Sequence, residues 1–223
     1  MPGNRLIVQR AAIYGYGNFV ANAIESAQPH TSYEAARLLA RCKTVDRSIE
    51  FTRQYLNSRV GPGVDNRVTI EALNADEEIQ RHCQAILAAQ HEQYLNLLAI
   101  AAKGGVLGAA SEYYQEFVIA RRGDPELLPW FRDALVRDAA QGDITAIKAL
   151  GCDAIGANLS LAQRHTYLAV LAAAAKSGRA AEYASVLVQY CGRIQEATTA
   201  ADPRQQQYLL SAIEKVGMDY LLF

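Results

Sequence analysis

Proline occurs at only 6 of the 223 positions of this chain, and several of those stand where a helix would begin. A proline-rich extended polymer is excluded, and long stretches are left free to coil into helices. Long apolar runs are also missing. Crossing a bilayer takes roughly 20 consecutive apolar residues, whereas the stretch 97–102 ends at Lys103; no membrane insertion is expected. An excess of charge of either sign is lacking, since 22 basic and 23 acidic side chains leave a net charge of −1. Without a bulk positive field, nucleic acid is not an expected partner. The N-terminus, Met1-Pro2-Gly3-Asn4-Arg5, leads into a mixed stretch with Tyr14, Tyr16 and Asn18 rather than an apolar signal core. Either no export signal is present or it has been removed.

Catalytic motifs are missing as well. There is no nucleophile elbow, phosphate-binding glycine loop or paired-carboxylate motif, and Gly15-Tyr16-Gly17 reads as a turn. The four histidines are His30, His82, His91 and His165; on a continuous helix His82 and His91 point to nearly opposite faces and cannot hold one ion. Glu78 and His82 share a face and read as a solvated pair. No metal, cofactor or enzymatic activity is expected. Cysteine is limited to Cys42, Cys83, Cys152 and Cys191, without the close pairs of a zinc site. Two readings of these four stand. Separations of 41 residues between Cys42 and Cys83 and 39 between Cys152 and Cys191 allow two disulfides between neighbouring helices, which would place the protein in the periplasm or outside the cell. Alternatively they are four buried thiols of a cytoplasmic protein.

What is present is alanine, and it is punctuated. Ala101-Ala102-Lys103-Gly104-Gly105, Ala139-Ala140-Gln141-Gly142-Asp143 and Ala174-Ala175-Lys176-Ser177-Gly178 each read as one helix ending and another starting. The spacing is 37 residues from Gly105 to Gly142 and 35 from Gly142 to Ser177, enough for one helix pair per period. Four residues beyond each junction stands alanine, at Ala109, Ala146 and Ala181, where a small side chain lets two helices cross closely.

The helices expected from this punctuation span 31–42 with a Thr31–Glu34 capping box, then a short one from Asp46. Gly61-Pro62-Gly63 marks a loop, and helix resumes near Asp76. The paired helices follow at 84–103, 106–121, 129–141, 144–155 capped by Asp143, 161–176 capped by Ser160 with Gln163, and 179–194. Gly123-Asp124-Pro125 and the Gly156/Asn158 pair separate them, and Asp202-Pro203 opens a terminal helix ended by Gly217. Three regions result: an N-terminal helical region 1–75, a repeat region 76–200, and a capping helix with tail at 201–223. The fold class is all-α, an α-solenoid of antiparallel helix pairs.

Residues 139–151, Ala139-Ala140-Gln141-Gly142 with Ala146 and Leu150-Gly151, resemble the Sel1-like branch of the tetratricopeptide-type repeat family. The resemblance covers about residues 84–195; Tyr113-Tyr114 replaces Leu-Gly in the first unit and Ser185 stands at the Leu position in the third. It implies a right-handed superhelix, a bacterial source and a non-catalytic scaffold that holds a protein or peptide partner.

Tyrosine, with 12 occurrences against 1 tryptophan, suggests where such a partner would bind. Adjacent residues on a helix diverge by about 100°, so Tyr113 is expected to pack and Tyr114 to line a groove, the competing role being filler between repeats. Tyr183, Arg121 and Lys148 are the other candidate binding residues. A helical enzyme is the rival reading; a self-associating subunit using Tyr220-Leu221-Leu222-Phe223 is another.

Overall fold

Every regular element among the described residues is an α-helix; no strand occurs among them. The structure is a computed structural model and describes residues 15–58, 66–120, 128–153, 155, 159–176 and 202–216. The chain divides into two compact units, 1–100 and 101–223. The division falls within a helix, Tyr94–Lys103. The loop at 61–63, the junctions at 123–125, 156–158 and 177–178, the helix expected at 179–194, and the C-terminal tail lie outside the described residues.

In the first unit, α1 (Tyr16–Ser26) starts after Gly15, whose φ of 76° suits glycine, so Tyr16 and Gly17 are helical rather than part of a turn. Next, α2 (Pro29–Ser58) runs unbroken for 30 residues, about 45 Å at 1.5 Å per residue. The expected start at Thr31 and break before Asp46 are both corrected. Pro29, which needs no partner for an absent N–H, takes the first turn, and nothing between Cys42 and Asp46 interrupts the hydrogen-bond ladder. Likewise α3 (Arg67–Cys83) begins well before Asp76, which lies inside it. The expected helix at 84–103 is broken into a turn, the single-turn α4 (Ala88–His91) and α5 (Tyr94–Lys103). Here α1 meets the turn after α3 backbone to backbone: a Cβ on Gly17 would overlap the Ala85 carbonyl, and Gln90 Nε2 donates to the Gly17 carbonyl at 2.9 Å.

In the second unit, α6 (Ala109–Ala120), α7 (Leu128–Ala140), α8 (Ile144–Cys152), α9 (Leu161–Lys176) and α10 (Pro203–Val216) follow. From α7 onward each packs on the described helix before it, α6 also touches α8, and α10 reaches back to α7. Leu135, Ile144, Ile147, Leu150 and Leu171 are fully buried among them. Caps fix the boundaries. Asp143 accepts from Thr145 N and Ala146 N, Ser160 and Gln163 bond reciprocally, and Asp202 accepts from Arg204 N.

The first two junctions have one backbone geometry. At each, a glycine sits at positive φ, 80° for Gly105 and 95° for Gly142. The glycine N–H donates to the carbonyl three residues back, that of Ala102 or of Ala139. The following N–H reaches further back, from Val106 to Ala101 and from Asp143 to Asp138, all at 3.0 to 3.1 Å. These are two Schellman turns in the same register. Ala109 and Ala146, at matching places beyond them, are fully buried.

Candidate functional sites

The second junction carries a buried acidic pair. In the first turn the buried apolar residues Ala101 and Val106 hold these two places; Asp138 and Asp143 replace them in the second. Asp138 accepts from the Gly108 N–H at 3.3 Å and from Arg137 Nε and Nη2 at 3.3 and 3.2 Å. Arg137 Nη2 also donates to the Ala102 carbonyl at 3.1 Å, so its guanidinium ties the second junction to the first. Asp143, besides capping α8, accepts from Ser111 Oγ at 2.5 Å. Burial, and then the neighbouring Asp143 charge, push the Asp138 carboxyl up to about 6 against the pull of Arg137. Burial raises Asp143 as well. Every oxygen of the pair has an intramolecular donor, which fits a structural clasp better than a reacting group. From the sequence Asp143 reads only as a cap; the signal for Asp138 is an acid occupying the place of Ala101.

Tyr114 is corrected from groove to core. Tyr113 and Tyr114 are each 5 % exposed. Tyr113 stacks on Phe131 with centroids 4.3 Å apart. Tyr114 corresponds in register to Gly151, and its phenol hydrogen-bonds the Ile155 backbone; burial first, then the Asp153 charge, push its pKa up to about 12. Divergence by 100° does not expose one ring when different neighbours cover both directions. Lys148 is not a free rim cation either, because Nζ donates to both Asp153 carboxylate oxygens at 2.8 Å. Arg121 and Tyr183 lie outside the described residues.

Cys42 and Cys83 form a disulfide across α2 and α3, with Cα atoms 5.6 Å apart. Cys152 is disulfide-bonded too; Cys191 lies outside the described residues. Beside the first bond, Tyr16 stacks on His82 at 5.1 Å, and Glu78 approaches His82 at 3.9 Å on the solvent side. The Tyr16 hydroxyl is buried without a hydrogen-bond partner, and burial, with the Glu78 charge second, raises its pKa.

The outer parts of α2 and α3 display apolar side chains that the sequence does not single out. Beyond Ile49, α2 has no buried residue, and the facing 67–75 of α3 has none. This stretch nonetheless carries Phe51 at 69 % exposure and Val68 at 78 %, with Tyr55 and Ile70 also exposed. Phe51 and Tyr55 are one helical turn apart on α2. Among the described residues there is no cluster of His, Cys, Asp and Glu able to hold a metal and no helix long and apolar enough to cross a membrane. Compared with family models, curated proteins and solved structures, the chain matches none.

Proposed function

We propose that this chain is a non-catalytic helical scaffold that binds a protein or peptide partner, its second unit built as a Sel1-like stack of helix pairs. The observation that carries the binding role is the unburied outer part of the α2–α3 hairpin. Exposed apolar side chains displayed on two neighbouring helices are the kind of patch that receives a protein or peptide partner. Phe51 and Tyr55 are the expected anchors, because aromatics bring large contact area at low entropic cost. The stack reading draws on the two Schellman turns in one register and on Arg137, which joins the end of one helix pair to the next. A disulfide between α2 and α3 favours an oxidising compartment as the place of action.

A photo-crosslinking residue placed at Phe51, with a second placed at the exposed Glu50 as control, tests this in cells of the source organism. A protein adduct specific to position 51, lost when Val68→Glu is added, supports the reading. Adducts identical at both positions, or none, overturn it. An adduct whose mass is that of a second copy favours self-association instead.

A further inference from the structure

One face of α3 is unsuited to holding a helix in place. Thr69, Leu73, Asp76, Gln80 and Cys83 recur at intervals of four and three residues, the seam spacing of paired helices. The printed partners on α2 place that seam: Cys83 is bonded to Cys42, Gln80 Nε2 donates to Asp46 at 2.7 Å, and Asp76 accepts from Arg41 and from Ser48 Oγ, the latter at 2.6 Å. In an ordinary helix pair these positions are apolar. On α3 the single buried residue is Asp76, and the apolar Val68 and Ile70 point to solvent. Across the seam, α2 offers Val45 and Ile49, both buried. So α3 covers an apolar stripe with a polar one. The exposed Arg53–Glu77 pair adds little, and a helix in a protein draws most of its stability from the packing of an apolar face, which α3 lacks on this seam.

We propose that the Cys42–Cys83 disulfide is a redox latch: its reduction by a dithiol reductant releases α3 from α2 and bares the Val45–Ile49 stripe. The chemistry is thiol–disulfide exchange. A thiolate of the reductant attacks one sulfur of the bond, and the other leaves as a thiolate and takes up a proton. The second thiol of the reductant then resolves the mixed disulfide, so the chain gains two electrons and two protons as two thiols and the reductant departs oxidised. Both half-cystines are only half-buried, which leaves an approach for the reductant. The latch stands apart from the partner-binding reading, since its operation needs no partner.

Hydrogen exchange resolved by residue tests it on the full chain carrying Cys152→Ser and Cys191→Ser, so that one disulfide is present. On adding dithiothreitol, amides of 67–83 should exchange at least tenfold faster, while those of α1 and of 29–49 change less than twofold. Reoxidation should restore the first rates. Protection of α3 that survives reduction overturns the latch. Loss of α1 and α2 protection together with α3 overturns it too, since the bond would then staple the whole unit. Where the double variant fails to fold, the four-cysteine chain is used and the same three segments are read.

Discussion

Asp138 and Asp143 close the two ends of one Schellman turn: the Asp143 N–H donates to the Asp138 carbonyl at 3.0 Å, and both carboxylates are buried beside it. The turn therefore places two like charges in the second unit with Arg137 as the cation bonded to Asp138. Such a pair is costly to ionise in the folded state, and that gives it a measurable signature.

The sign follows from linkage. Asp138 has its carboxyl raised from 3.8 to about 6 on folding, so between these values the folded chain holds a proton that the unfolded chain has lost. Stability from this group is complete below about pH 4 and is lost as pH rises through 6. The displacement is worth at most ~3 kcal/mol. Relative to Asp138→Asn, the wild-type second unit should therefore gain stability as pH is lowered from 7 to 5, read as a difference in urea midpoints. A difference that stays flat over that range would refute the assignment.

The two turn glycines separate backbone strain from crowding. At Gly105 a Cβ would meet only the Arg137 guanidinium, at 3.9 Å, whereas at Gly142 it would lie 2.5 Å from the Ala212 carbonyl oxygen and 2.9 Å from Ile213 N. Gly105→Ala should cost about 1 kcal/mol, the left-handed penalty. Gly142→Ala adds displacement of α10 and should cost roughly 3 kcal/mol, with faster hydrogen exchange across Pro203–Val216. Equal costs would show that α10 does not rest on this turn.

Much of this architecture is legible because it is written locally. The junctions at Gly105 and Gly142, the Asp143 cap and the Ser160–Gln163 pair each depend on a few adjacent residues whose chemistry permits one geometry. Boundaries failed where tertiary context decided: Thr31 can cap a helix, yet Pro29 starts it earlier, and Asp76 looks like a helix opener but is buried mid-helix by Arg41 and Ser48. For the same reason the exposure of the apolar side chains on α2 and α3 is not legible. Phe51 and Val68 are ordinary core residue types until the fold leaves them exposed.

Tyr114 supplies a test of burial against display. Its ring is 5 % exposed, so Tyr114→Ala should destabilise the second unit by roughly 3 kcal/mol or more, as truncation of a buried aromatic does. Tyr114→Phe keeps the packing and removes the phenol. Its spectrophotometric titration should lack one group ionising near pH 12 and be otherwise unchanged. A Tyr114→Ala protein as stable as wild type would return this residue to the surface.

Asp76 separates the latch from the seam it closes. Removing it as Asp76→Ala strands the Arg41 and Ser48 donors, and should cost roughly 1–3 kcal/mol in the oxidised protein. Replacement by leucine acts differently, because a buried polar cluster exchanged for an apolar group of similar size is often close to neutral. In Asp76→Leu the seam of α3 becomes Thr69, Leu73, Leu, Gln80 and Cys83, and the helix can pack on Val45 and Ile49 through apolar contact. Oxidised, this variant should lie within ~1 kcal/mol of wild type by urea titration. Reduced, its amides at 67–83 should stay protected where those of wild type open, because apolar contact then does what the disulfide did. If reduction opens both proteins equally, the polarity of the seam is not what makes α3 depend on the Cys42–Cys83 bond.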